Sequence, residues 1–335
     1  MKRSQNWWTI PDLPGSARVV DLGAGGPAIP FPMGVSRIFL SSDIRRVKDV
    51  INLGGEAEVV TSIPELDCDV VLYEPHQREA KHRVFERIDG AFRNLPLGGR
   101  LYTAGRKNRG VASYVNRVEA VFGNATLIGR ADRTRVYASE KRSAEPGEPP
   151  INARRTFHVE ATDGESLTFA SEAGVFSADR FDPGSQLLVH TLLPTSASRI
   201  LDVGCGCGVI GISLAHGSPG SELIAIDCNA LAVECTEENL RQNGLSDRSK
   251  ATIGDLYDNV EGERFDLVVS NPPFHEGNAV AHPLIQEGRG RLAPGGRLVI
   301  VVMRPDPYLI AMRQVFSKSQ ILAAYGGYSV LEATA

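Results

Sequence analysis

Short apolar runs alternate with stretches of helical period through the C-terminal half of the chain, the pattern of βαβ units laid on a parallel sheet. The runs predict strands over Arg199–Val203, Leu223–Ile226, Phe265–Ser270 and Arg297–Val302. Between them, Asn229 to Asn243 opens on a capping residue, carries a polar Glu237-Glu238 face and stops at Gly244, which predicts a helix with both ends marked. Two final runs, Gln320–Ala324 and Ser329–Ala333, flank Gly326-Gly327 and predict an antiparallel pair turned at those glycines.

The N-terminal half repeats this order. Arg18-Val19-Val20-Asp21-Leu22-Gly23-Ala24-Gly25-Gly26 parallels Arg199-Ile200-Leu201-Asp202-Val203-Gly204-Cys205-Gly206-Cys207. A second strand ending at Asp43 parallels the one ending at Asp227, and Gly98-Gly99-Arg100-Leu101 parallels Gly295-Gly296-Arg297-Leu298. The expected fold class is therefore α/β, with two tandem Rossmann-like domains. The first spans residues 1–142, a Pro-, Gly- and charge-rich linker spans 143–150, and the second spans 151–335. Where the second copy has Asn271-Pro272-Pro273-Phe274 after its fourth strand, the first has Tyr73-Glu74-Pro75-His76, so the first is expected to be degenerate.

Length supports two domains, since 335 residues is about twice the usual domain size. An apolar fraction of 42% and a charged fraction of 23% are ordinary for a globular protein, and no apolar run nears the roughly 18 residues of a membrane span. The start, Met1 to Trp8, lacks the apolar core of a secretory signal, so a cytoplasmic protein is expected. Five cysteines, Cys68, Cys205, Cys207, Cys228 and Cys235, suit reduced thiols. No second Cys/His pair with zinc-like spacing accompanies Cys205 and Cys207, so no metal is expected. Nothing specifies an assembly, and a monomer is the simplest expectation. Charge is uneven: from Arg100 to Arg155 twelve Lys or Arg face five acids, a segment of +7 that leaves −11 for the rest of a chain of net charge −4. Such a segment can grip phosphates by counterion release, or serve as a solvated face and charged linker.

A strand ending in Asp202 and followed by Gly204, Gly206 and Gly208 lets backbone approach a ligand closely. This spacing departs from the dinucleotide fingerprint and resembles the first motif of class I S-adenosylmethionine-dependent methyltransferases. That likeness places the loop under the aminoacyl end of the cofactor. Asp227, with Cys228 and Asn229 beside it, would accept hydrogen bonds from the ribose hydroxyls. Asp255 and Leu256 would flank the adenine, although a helix cap is the other reading of Asp255. Asn271-Pro272-Pro273-Phe274, whose Asn lies 69 residues after Asp202, fits an amino-group acceptor. The Asn oxygen and the Pro272 carbonyl can each accept one hydrogen bond from a conjugated NH₂, drawing its nitrogen toward tetrahedral geometry. The prolines stiffen the loop, and Phe274 offers a face for stacking a base. His275 could assist proton loss or serve structurally.

On these motifs, with Gly174-Val175-Phe176-Ser177, Arg180, Asp182 and Gly184-Ser185-Gln186-Leu187-Leu188, the chain resembles the bacterial ribosomal RNA guanine-N2 methyltransferases of the RsmC and RlmG type. The resemblance implies S-adenosylmethionine as cofactor and ribosomal RNA or a ribosomal subunit as partner. It also implies a degenerate N-terminal domain that binds RNA or stabilises the enzyme. Members often carry Asn where Met303 stands here. Two alternatives remain at this level: methylation of a protein glutamine, whose carboxamide suits the same pocket, and a non-catalytic RNA-binding assembly factor that keeps only cofactor binding.

Overall fold

The computed structural model describes residues 16–23, 35–76, 79–107, 110–131, 133–152, 154–273 and 278–335. Ala24 to Gly26, Arg109 and Phe274 to Gly277, all singled out by sequence, lie outside them. The chain divides into two compact units, Met1–Ala153 and Arg154–Ala335.

The first unit contains β1 (Arg18–Asp21), β2 (Ser36–Ser41), α1 (Ile44–Asn52), β3 (Glu56–Val59), β4 (Val70–Tyr73), α2 (Lys81–Asn94), β5 (Arg100–Arg106), α3 (Val111–Phe122), β6 (Thr126–Ala131) and β7 (Thr134–Glu140). The second contains β8 (Arg154–Glu160), β9 (Ser166–Glu172), α4 (Pro183–Leu192), β10 (Arg199–Val203), α5 (Val209–His216), β11 (Glu222–Asp227), α6 (Ala230–Gln242), β12 (Ser249–Ile253), β13 (Phe265–Ser270), α7 (Asn278–Gly288), β14 (Leu292–Val302), α8 (Pro305–Val315), β15 (Lys318–Tyr325) and β16 (Tyr328–Thr334). The two sheets have the same strand order, β3-β2-β1-β4-β5-β7-β6 and β12-β11-β10-β13-β14-β16-β15, and in each a single strand, β7 or β16, runs antiparallel to both its neighbours.

In the second unit the central strands read as continuous apolar runs because both faces of the sheet are covered. Ile200, Leu267, Val269, Val299 and Val301 face α4, α5 and α6, whereas Leu201, Val268, Leu298, Ile300 and Val302 face α7 and α8. The alternation is the two-residue period of a pleated strand. Gly326 and Gly327, at φ +58° and +84°, make the predicted turn between β15 and β16. The hairpin β8–β9 lies outside the main sheet, and α6 closes its backbone: Asn239 bonds both the N–H and C=O of Ala170, and Asn243 those of Thr168.

Strand register corrects two of the internal equivalences. Val19 pairs with Arg37 and Ile200 with Leu223, which sets Ser41, not Asp43, at the place of Asp227. Asp43 instead caps α1, as Asn229 caps α6. Likewise Val70 pairs with Arg100 and Leu267 with Arg297, so Glu74, not Tyr73, stands where the second unit has Asn271.

The segment 143–150, expected as a linker, has no regular structure but is bonded to the first unit. Buried Arg117 donates to Asp89, Glu148 and the Pro149 carbonyl, and Asp89 also accepts the Ile151 N–H at 2.9 Å. Asp89→Ala strips the buried guanidinium of its fully enclosed partner and is expected to cost about 3 kcal/mol in urea unfolding; an unchanged midpoint would show that this clasp contributes nothing.

Candidate active site

The loop between β10 and α5 holds Gly204, Gly206 and Gly208 at φ +73°, +59° and +81°, conformations open at low cost only to glycine. They are needed for different reasons. A Cβ on Gly204 would meet nothing within 4 Å, so the space over the loop is free for a ligand. One on Gly208 would strike Thr236 at 2.8 Å and Ile212 at 2.9 Å, so that glycine is demanded by packing.

Neighbouring elements fix the loop. The N–H groups of Gly204 and Cys205 donate to the Ile226 carbonyl at 2.8 and 3.0 Å. The Gly206 N–H donates to Asp227 Oδ2 at 2.9 Å, and the Gly206 carbonyl accepts from Thr236 Oγ1 at 3.0 Å. Asn239 Nδ2 donates to the Cys207 carbonyl at 2.8 Å. Thr236 and Asn239 are fully buried on α6, and sequence reading missed both; the available signal was two polar side chains on that helix's apolar face.

Asp227 ends β11 with its second oxygen accepting the Asn229 N–H at 2.8 Å. Asn229 spends its side chain on protein: Oδ1 caps α6 at Leu231, and Nδ2 donates to the Gly174 carbonyl at 3.0 Å. Cys228 is half-buried beside them. The Gly254 N–H donates to the Asp227 carbonyl, which brings Asp255 to the adjacent strand end. No helix follows Asp255; residues 255–259 form a turn in which half-buried Leu256 adopts φ +52°.

Asp202 is fully buried and faces α5, with Oδ2 accepting the Gly211 N–H at 2.9 Å and Oδ1 left without a partner among the described residues. Burial pushes its carboxyl up to about 7; the Gly211 amide opposes the rise and the Asp227 charge adds to it. Burial also raises the Cys205 thiol well above its usual range and Cys207 to about 11, so both are neutral thiols packed under the loop. Asp163, Glu165 and His216 form a group with metal-ligand geometry among the described residues, at the far end of α5 from the loop.

Asn271 follows the last residue of β13. Ser270 Oγ donates to the Val203 carbonyl at 2.7 Å and so ties this end of β13 to the root of the glycine loop. Asn271 Nδ2 donates to Asp182 Oδ2 at 3.1 Å and to Ser185 Oγ at 2.9 Å. Its Oδ1 is buried with no partner among the described residues. Pro272 is buried and Pro273 exposed. The site thus joins open space over Gly204, a carboxylate at the next strand end, and an amide oxygen at the fourth that has no partner among the described residues. Asp182 and Ser185 were quoted in the sequence for their pattern, without a role.

With this strand order and these loops, the chain is a methyltransferase of the class that takes its methyl group from S-adenosylmethionine, and the family model for the methyltransferase small domain matches residues 166–332. It is 31% identical over 281 residues to ribosomal RNA small subunit methyltransferase C of Escherichia coli, spanning 82% of this chain and 78% of that protein, and matches the Shigella dysenteriae protein of the same name equally. The chain belongs to the ribosomal RNA small subunit methyltransferase C family. Its fold matches that of the T. thermophilus 16S rRNA N2 G1207 methyltransferase (RsmC), solved with AdoMet and guanosine, at a TM-score of 0.82 and 28% identity over 96% of this chain and 89% of that one.

Because the folded pKa of Asp202 lies above its unfolded value near 3.9, its contribution to stability is full at low pH and is lost as pH rises toward 7. Asp202→Asn cannot ionise. Wild-type stability minus that of the variant is therefore expected to fall between pH 5 and 7 by up to about 1.4 kcal/mol per unit, in denaturant titrations. A pH-independent difference would show that Asp202 does not titrate there.

Proposed function

We propose that this enzyme transfers a methyl group from S-adenosylmethionine to the exocyclic 2-amino group of a guanosine in 16S ribosomal RNA, acting in the cytoplasm as a single copy on the small subunit or its RNA. The buried Oδ1 of Asn271, without a partner among the described residues, carries the reading: a desolvated acceptor beside a cofactor loop requires a donor, and an amino group supplies one. Family membership and the guanosine bound in the T. thermophilus relative supply the chemical identity of that donor. A non-catalytic factor would have no use for this oxygen.

The residues present fit the cofactor. Gly204 leaves the opening, Gly206 and Gly208 shape it, Asp227 is the strand-end carboxylate expected to meet the ribose hydroxyls, and Asp255 and Leu256 stand at the strand end expected to meet the adenine. Asp202 acts from beneath by fixing the start of α5. Bound there, the cofactor supplies an electrophilic methyl group on a sulfonium, a leaving group good enough that no strong base is needed. Asn271 Oδ1 and the Pro272 carbonyl would hold the two amino hydrogens and turn the nitrogen lone pair out of the ring plane. Pro272 and Pro273 limit backbone rotation at this point, and Phe274 would stack on the base.

The first unit is read as non-catalytic. Ser41 and Glu74 stand at the positions of Asp227 and Asn271, and Arg37, in the place of Leu223, ion-pairs with Asp21, the equivalent of Asp202. Its basic side chains gather instead at the free ends of β5, β6 and β7: Arg130 pairs across from Arg135, Arg106 from Thr134, and the Lys107 N–H bonds the Arg133 carbonyl. Arg106, Lys107, Arg130 and Arg133 are exposed. This cluster is the proposed grip on the RNA backbone.

Labelled methyl transfer to separated small subunits, large subunits and naked ribosomal RNA, followed by nucleoside mass spectrometry, is expected to yield N2-methylguanosine from small subunits or 16S RNA. Asn271→Ala should lower that yield roughly a hundredfold. Label appearing only on protein would transfer the proposal to a glutamine acceptor. Separately, charge reversal at Arg106, Lys107 and Arg133 is expected to weaken RNA binding and to flatten its salt dependence by about one unit of log–log slope per lost phosphate contact, with cofactor affinity unchanged. Unaltered RNA affinity in filter binding would remove this cluster from the RNA interface.

A further inference from the structure

We infer that Asp182 and Ser185 are positioning residues for methyl transfer: they lock the Asn271 carboxamide in the orientation that turns its oxygen toward the acceptor nitrogen. This rests on the reading of Asn271 given above. A carboxamide is nearly symmetric in shape, and a half-turn about its last bond exchanges oxygen for nitrogen. In the wrong orientation Asn271 would present its own NH₂ to the substrate's NH₂, two donors facing each other. The sequence Asn-Pro-Pro supplies the group but does not choose between the two orientations.

Asp182 and Ser185 make that choice. Both Nδ2 hydrogens of Asn271 are taken, one by Asp182 Oδ2 at 3.1 Å and the other by Ser185 Oγ at 2.9 Å. Ser185 Oγ lies 3.4 Å from the same Asp182 oxygen, so its proton points to the carboxylate and its lone pairs to the amide. Reversing the amide would set Oδ1 against an anion. The lock is itself rigid. Asp182 is the N-cap of α4, where Oδ2 accepts the Ser185 N–H at 3.0 Å, and Pro183 fixes the first turn. Gly184 lets the turn pack closely, since a Cβ there would meet the Tyr328 ring at 2.8 Å and Asp182 Oδ2 at 3.1 Å. Asp182 also acts electronically. A carboxylate bonded to the NH₂ end of an amide shifts electron density toward its oxygen, strengthening the acceptor that faces a nitrogen gaining positive charge as its bond to the methyl carbon forms. The proton that nitrogen then sheds goes to solvent, and neither Asp182 nor Ser185 takes part in that transfer.

Two variants separate positioning from structural support. Ser185→Ala removes Oγ but keeps the N–H that Asp182 caps; Asp182→Asn keeps a capping oxygen but removes the charge. Both are expected to lower kcat for N2-methylguanosine formation roughly ten- to a hundredfold, with RNA KM, cofactor affinity and Tm held near wild type. A structural role alone would move Tm and cofactor affinity with kcat. The Asn271 side-chain NH₂ signals in an amide NMR spectrum, assigned by their loss in Asn271→Ala, should show faster hydrogen exchange and faster rotation in both variants. Wild-type kcat in the two variants, or unmoved Asn271 signals, would overturn the inference. Should the wild-type enzyme make no N2-methylguanosine, the acceptor assignment fails alone, and the amide signals still decide whether the lock exists.

Discussion

A loop that must leave room for a ligand has no side chains with which to hold itself, and the second unit is organised around this constraint. Its glycines expose backbone groups at the end of a buried sheet, where an unpaired N–H or C=O is costly. The protein satisfies them from outside the loop. Asp227 takes the Gly206 N–H, Thr236 the Gly206 carbonyl and Asn239 the Cys207 carbonyl. Asp227 therefore has two duties, as the expected ribose acceptor and as a clamp on the loop beside it. Any change there disturbs the floor of the site together with its wall. Asn239 likewise spans two elements, because its oxygen and nitrogen also close the backbone of β9 at Ala170.

The two units show how little of this the fold itself needs. Both keep the strand order, because that order depends on alternating apolar faces and on connections that return each helix to the sheet. The site depends on a few positions at strand ends. At those positions the first unit carries Ser41, Glu74 and an Arg37–Asp21 ion pair. An arginine entering from β2 neutralises a buried acid that, in the second unit, anchors α5 through the Gly211 N–H. On the reading of the first unit as non-catalytic, a methyltransferase sheet is kept while its end chemistry is spent on cohesion and on surface charge.

Sequence showed the parts of this structure that repeat at fixed periods or sit at fixed spacing. β10 and β13 fell on their predicted residues, and the helix from Asn229 to Asn243 ran from Ala230 to Gln242 between those two caps. β14 proved longer than Arg297–Val302, starting at Leu292, because Pro294, Gly295 and Gly296 interrupt the apolar pattern without ending the strand. The hairpin β8–β9 was not seen: its backbone is closed partly by Asn side chains 69 and 75 residues away, which no local period encodes. The internal equivalences at Asp43 and Tyr73 slipped by one or two residues because similar residues lay near the register that hydrogen bonding selected. At the site, the residues proposed to meet the ligand stand out in the sequence through glycine, Asp and Asn-Pro-Pro spacing. Those that hold them, Thr236, Asn239, Asp182 and Ser185, do not, because their identity follows from contacts across the fold.

The chemistry asks for orientation more than for reactivity. The 2-amino lone pair of guanine is shared with its ring, and an acceptor that drifts by an ångström no longer draws it out. Each feature around Asn271 removes one freedom from that acceptor. Ser270 fixes the strand end against Val203, buried Pro272 limits the backbone turn that follows, and the α4 cap holds the amide by its nitrogen. What remains is a buried oxygen without a partner among the described residues, whose unpaired state would cost the folded enzyme stability until a donor arrives. On the proposed role of Asn271, that cost would be the source of selectivity: a base presenting an acceptor at this point would leave the oxygen unsatisfied, whereas an amino group would relieve it, so the pocket would discriminate by hydrogen-bond polarity before it discriminates by shape.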